Sequence, residues 1–219
     1  MWWLFFQTIV SGMTLFSAVD RIATWYGFQG VYYLVHGLHN FMVVQDTWND
    51  VVTTFTDFHA LEVYPVNYGA SAMVFALHFY HILLYREKFR YDDWLHHGLM
   101  IFVALPLGIL LPASTLTGFS LFFSTGLPSL LDYALLFGVR NGWVLPLTEK
   151  TWNRRTNVWL RSPGCVAHAT LTLAYLLSGV GPWWQKGLGC IPAVLMYWNG
   201  QYFMEQVVAD HAVRAARLS

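Results

Sequence analysis

Six stretches of the chain, residues 1–19, 22–45, 63–85, 94–131, 162–185 and 187–204, contain no Asp, Glu, Lys or Arg, and the charges fall in short clusters between them. A bilayer-crossing helix needs about 20 apolar residues, so each stretch is a candidate span. The run from Trp94 to Leu131 is long enough for two, and Pro106, Pro112 and the turn-like PASTLTG at 112–118 divide it. The pattern therefore predicts seven helices, near 2–19, 27–45, 66–85, 96–111, 118–138, 163–183 and 188–206. Residues 1–19 lack the basic leading region and small-residue cleavage site of a signal peptide, so a retained first helix is expected.

Alternating loops then sort the Lys and Arg residues. Arg21, Arg86, Lys88, Arg90, Arg140, Lys150, Arg154, Arg155, Arg161, Arg214 and Arg217 fall on the side of the C-terminus, and only Lys186 on the other. An eleven-to-one split predicts a cytoplasmic C-terminus. Composition agrees with a membrane bundle: 56% of residues are hydrophobic, 18% aromatic and 11% charged, against about 25% charged in soluble domains. Trp and Tyr crowd the expected helix ends, at WYGF (25–28), Tyr85, Trp94 and GPWWQ (181–185), as interfacial anchors do. The fold class expected is all-α, a polytopic membrane helical bundle forming a single domain over residues 1–219.

Two details refine this picture. The outer segment TWNDVVTTFTDFHALEVY has apolar residues at 48, 51, 52, 55 and 58, a helical period, and is expected to lie on the membrane surface, a lid being the sharper reading. Cys165 and Cys190 open helices from opposite sides, so no internal disulfide is expected.

Ionisable groups inside a bilayer are costly and mark function by default. His78 and His81 lie one turn apart near the inner end of the third helix, and His96 and His97 open the fourth from the same side. Asp132, His168 and Glu205 are placed in the same inner layer, whereas His36 and His39 are placed midway along the second helix. With Asp92 or Asp93 as N-cap, the histidine pair falls in or near the first turn, where free N–H groups favour neutral imidazole. Neighbouring helical residues diverge by about 100°, so one histidine acts while the other orients or binds. A metal site is the chemical rival, through HGLH (36–39), HFYH (78–81) and the histidine pair. The first two lie at different depths in this reading, the HxxHH box of membrane di-iron enzymes is missing, and no metal is expected.

The order YPVNYGASAMVFALHFYHILLY, a short basic loop, DDWLHHGLM and then FFSTGLPSLLDYALL resembles the TLC-domain family, which includes the ceramide synthases, over about residues 60–205. The resemblance is to small, divergent members. It implies a core of about six to eight membrane helices, an endoplasmic-reticulum setting with an organelle inner membrane as the other option, and transfer of an acyl group from acyl-CoA to a sphingoid amine. His96 and His97 match the family's paired histidines, and Asp132 matches the second acid of its Asp-x-x-Asp motif, where Ser129 stands in place of the first.

The expected function is binding, with transfer as the enzymatic version, of lipid acyl chains. An acyltransferase would use His96 or His97 as base or nucleophile and Asp132 as orienter. His78, His81, Ser129 and Glu205 would line the site, and Arg86, Lys88 and Arg90 would steer the phosphates of acyl-CoA. No cofactor beyond that donor and no nucleic acid is expected. Membrane lipids are the expected partners. The rival is a non-catalytic, lipid-binding subunit of a larger membrane complex.

Overall fold

A computed structural model describes residues 2–57, 68–110, 114–178 and 183–217. Every regular element among the described residues is a helix, without strands. The helices are α1 (Trp2–Trp25), α2 (Val31–Thr56), α3 (Tyr68–Tyr85), α4 (Tyr91–Leu110), α5 (Thr115–Arg140), α6 (Pro146–Thr156), α7 (Ser162–Leu177) and α8 (Trp183–Ala216). A turn of 3₁₀ helix, Arg86–Lys88, links α3 to α4, and α6 runs without a break into α7. Three helices, α1, α4 and α5, are long and apolar enough to cross a membrane.

α1 packs on α3 and α2 through Phe16, Val35, Ala72, Ala76 and Tyr80, all at most 1% exposed. The Asp20 carboxylate accepts the hydroxyls of both Tyr80 and Tyr85, tying α1 to the C-terminal end of α3. Val51, Phe119, Phe122 and Phe123 join α2 to α5. Gly164 and Gly200 let helices approach: a Cβ on Gly164 would stand 2.1 Å from the Phe123 ring, and one on Gly200 2.7 Å from Cys165 Cβ.

Three five-residue π-helical turns interrupt the α geometry: Met100–Ala104 in α4, Phe122–Gly126 in α5 and Asn157–Arg161 between α6 and α7. Each ends two residues before a proline, Pro106, Pro128 or Pro163. Proline cannot donate to the carbonyl four residues back and its ring crowds that carbonyl, so the chain bonds five residues back just ahead of it. Pro106 therefore widens α4 rather than ending it, and the helix expected near 96–111 runs on to Leu110.

Other boundaries shift for similar physical reasons. The segment expected to lie on the membrane surface is instead the last turns of α2 as far as Thr56, with Val51 and Thr54 buried and Thr54 Oγ1 3.2 Å from Thr115 Oγ1. Its remainder, 58–64, lies outside the described residues. α6 was not expected, because Glu149, Lys150, Arg154 and Arg155 end the uncharged pattern; Pro146 at its first turn starts it. α8 has 34 residues, about 51 Å of helix, against a hydrocarbon core of about 30 Å.

Candidate functional site

α4 begins one turn earlier than expected. Arg90 has extended backbone and is the N-cap, and its N–H donates to Asp93 Oδ2 at 2.8 Å from the third helical position. Asp93 thus caps from inside the helix, and His96 and His97 lie in the second turn rather than the first. Burial, more than the helix dipole, sets the surroundings of His97, which is 6% exposed, while His96 is exposed.

His97 stacks on Phe89, with ring centres 4.6 Å apart and planes 10° apart, and this pins it inward. It meets His78 edge-on at 4.9 Å and His81 at 5.5 Å, and His96 lies 5.4 Å from His78. His36 of α2 stacks on His81 at 4.5 Å, and Tyr133 of α5 lies 4.3 Å from His36. This corrects the placing of His36 and the HFYH pair at different depths. α2 starts at Val31, so His36 is about 8 Å from its end, and His81 is about 6 Å from the end of α3.

The tautomers follow from partners. His78 Nδ1 is 2.7 Å from the Val74 carbonyl oxygen and His36 Nδ1 is 2.8 Å from that of Tyr32. A carbonyl only accepts, so both Nδ1 atoms carry the proton and both Nε2 atoms present lone pairs. His39 Nδ1 likewise donates to Asn40 Oδ1 at 2.9 Å. Among the described residues, Nε2 of His39, His78 and His81, Nδ1 of His97, Asn40 Nδ2 and Ser71 Oγ are buried without a hydrogen-bond partner. Buried polar groups are rarely left so. Here α2, α3 and α4 bring several into one compartment. Among the described residues no three His, Cys, Asp or Glu side chains converge as metal ligands.

The other expected members lie elsewhere. The charged groups acting on Asp132 are Glu149, Arg161 and Lys150, whereas the acid acting on His96 and His97 is Asp93. Ser129, one turn before Asp132, accepts a hydrogen bond from Arg161. His168 does not share the inner layer. It packs 6.5 Å from Phe119, at the opposite end of α5 from Arg140, because α7 continues α6 and so carries His168 further along the bundle than a start at 163 would. Glu205 is exposed on α8. Arg86, Lys88 and Arg90 are all exposed; Lys88 Nζ sits 5.3 Å over the Tyr85 ring, and Arg90 lies 3.9 Å from Asp93. Cys165 and Cys190 are both free, the first buried and the second exposed.

A second buried polar group runs along α6 and α7. Glu149, Asn153, Asn157 and Arg161 recur every four residues and are each at most 9% exposed. Asn157 Nδ2 donates to the Asn153 carbonyl at 2.9 Å, and Arg161 Nη1 donates to Asn157 Oδ1 at 3.1 Å. At the exposed end Lys150 bridges Glu149 (3.2 Å) and Asp210 (3.1 Å). Burial alone would lower the Lys150 pKa, but these two carboxylates hold it above its ordinary value. Sequence reasoning missed this set by treating its charges as loop; the four-residue spacing of Glu, Asn, Asn and Arg was the available signal.

The chain matches no family model, no curated protein and no solved structure.

Proposed function

We propose that this is a multi-pass membrane protein of seven spans, its C-terminus cytoplasmic, that binds lipid acyl chains and transfers them at the histidine compartment. The observation that carries this reading is the meeting of His96 and His97 with His78 and His81, with three of the four rings holding a buried, unpartnered nitrogen. Neutral imidazoles with free lone pairs are ready to take a proton from an attacking nucleophile or to attack a thioester themselves. His96, at the exposed edge, acts, and His97, clamped on Phe89, orients. No carboxylate among the described residues lies within 4.0 Å of a His96 or His97 ring nitrogen, so orientation comes from the rings packed around them, Phe89 and His78. Exposed Arg86, Lys88 and Arg90 at the same end supply a positive approach for acyl-CoA. The membrane setting is supported by the apolar outer faces, among them Trp3, Phe6, Phe102, Trp159 and Leu177, each at least 60% exposed.

The rival, a non-catalytic subunit of a larger membrane complex, is favoured by one observation. α1 leaves Gln7, Ser11, Thr14, Ala18 and Arg21 exposed in one stripe, beside grooves of 360 and 560 Å³, the kind of surface on which membrane helices pack.

The deciding experiment is to purify the chain in neutral detergent, extract bound lipid and assay transfer of a labelled acyl group from acyl-CoA to long-chain amines and alcohols. Transfer that disappears in both His96→Ala and His97→Ala with the fold retained supports the enzyme. A protein with neither bound acyl chain nor transfer leaves the subunit reading.

A further inference from the structure

The polar set on α6 and α7 serves no purpose in the histidine reading, and its buried Arg161 contacts no carboxylate among the described residues. Arg161 is 8% exposed, and its hydrogen bonds go to neutral partners, Asn157 Oδ1 and Ser129 Oγ. The face of Phe203 lies 5.1 Å from its guanidinium carbon. Its Nε–H has no partner, and among the described residues no carboxylate oxygen comes within 4.0 Å of it.

Asp132 Oδ1 is also buried without a partner, and the Asp132 carboxylate is not within 4.0 Å of the Arg161 guanidinium. Lys150 pairs with Glu149 at 3.2 Å. Asp210 is bound by Arg214 at 2.8 Å and by Lys150 at 3.1 Å. Lys150 and Arg214 each contact a carboxylate within 4.0 Å, whereas Arg161, more deeply buried than either, contacts none. A buried ion without a counter-ion is strongly disfavoured, and side chains that hold one are normally completed by a ligand.

We propose that Arg161 and Ser129 form a buried oxyanion site, distinct from the histidine compartment and independent of its function, which takes the phosphate or carboxylate group of an anionic ligand. The open Nε–H edge of the guanidinium supplies one donor. The Ser129 hydroxyl, whose oxygen already accepts from Arg161, is free to supply a second. Asn157 fixes the fork in place through its own bonds to Asn153. The ligand is either the headgroup of an anionic lipid, entering from the side that carries the basic loops, or a soluble oxyanion.

The test uses the full chain, stripped of lipid in a neutral detergent, with thermal unfolding as the readout. One arm titrates sodium phosphate against sodium chloride at equal ionic strength; the other titrates mixed micelles of phosphatidic acid or oleate against phosphatidylcholine. A saturable rise in melting temperature is expected in one arm: phosphate identifies a soluble ligand, and response to anionic lipid alone identifies a headgroup. Arg161→Gln should abolish the response, and Ser129→Ala should weaken the apparent affinity by about tenfold, the worth of one charge-assisted hydrogen bond. Asp132→Asn, which removes a repelling charge, should keep the response or tighten it. If Arg161→Gln does not fold, Arg161→Lys carries the test, because it keeps the charge but loses the fork and should also weaken binding by about tenfold. No rise above chloride in either arm, or equal responses in wild type and the Arg161 and Ser129 variants, overturns the proposal. A response confined to Asp132→Asn also overturns it, since Asp132 would then be the counter-ion.

Discussion

Replacing His97 by phenylalanine separates packing from chemistry at the histidine compartment. His97 is 6% exposed and stacked flat on Phe89, and its Nδ1 is buried without a partner. A phenyl ring keeps the stack and removes the unpaired nitrogen, whose burial costs about 1–3 kcal/mol. The larger ring returns a comparable cost as overpacking, about 1–3 kcal/mol. The two offset, so His97→Phe should stay within about 1 kcal/mol of wild type, a melting shift of at most about 4 °C for a chain of this size. His97→Ala behaves differently. Losing a buried ring costs about 3–5 kcal/mol by analogy with other aromatic truncations, and relief of the unpaired nitrogen, about 1–3 kcal/mol, leaves a net loss centred on about 2 kcal/mol, or about 4–8 °C. Acyl transfer should vanish in both. The assay is thermal unfolding in detergent alongside the transfer reaction. A His97→Phe protein that melts as low as His97→Ala would show that Nδ1 has a partner and is not held free; one that melts normally and still transfers acyl groups would remove His97 from the mechanism.

Gly164→Ala should separate α5 from α7, because the new Cβ would stand 2.1–2.7 Å from Phe123, and about 1–3 kcal/mol of stability should be lost on the same melting assay. Asp20→Ala leaves the hydroxyls of Tyr80 and Tyr85 without their shared acceptor, and should lower the melting temperature more than Tyr85→Phe alone. Asp210 shows a pH signature: slight burial raises its pKa, but bonds from Arg214 and Lys150 outweigh this and hold it below its ordinary 3.8, while Lys150 is held above 10.5. A lowered acid stabilises above its unfolded pKa and a raised base below its own, so the melting loss caused by Lys150→Met should be full between these two values. It should shrink as pH falls through the folded pKa of Asp210 or rises through that of Lys150; a loss unchanged at both extremes would contradict the pairing. In a cysteine-free background, Trp48→Cys and Trp152→Cys, both at exposed positions, should be labelled by impermeant reagents from opposite sides of the membrane, and labelling from one side would exclude the seven-span topology.

The uncharged runs made the helices legible, since a stretch such as 66–85 has few other uses, and α3 indeed covers Tyr68–Tyr85. What the runs could not report was helix continuing through charge. α2 proceeds past Asp46 and Asp50 to Thr56, and α6 is built around Glu149, Lys150 and Arg154. Within α6 the charges answer one another and α8, Lys150 bridging Glu149 and Asp210. The meeting of His78 and His81 with His96 and His97 was readable from hairpin logic, two helix ends joined by a short loop. The separation of Asp132 from them was not, because depth along a helix says nothing about which way a side chain points around it. His36 was misplaced by an error in one helix start, and Arg161 was overlooked because a charge ahead of a proline looks like the end of a loop.

The π turn at Asn157–Arg161 also acts on rotational phase. In a plain α-helix a step of four residues overshoots a full turn by about 40°, so side chains at strict four-residue spacing wind steadily around the axis. Glu149, Asn153, Asn157, Arg161, Cys165 and Ala169 make five such steps, which would carry the last about 200° from the first, yet all six are buried. The wider turn contains about one extra residue and so takes back about 100°, bringing the series within the width of a single helix face. Deleting one residue from 157–161 would restore ordinary winding and leave the two flanks in phase, because the residue removed is the one the wide turn absorbs; Glu149 and Asn153 would stay on the buried face with Cys165 and Ala169, and the change would fall on the side chains of the turn itself, Asn157 and Arg161 among them.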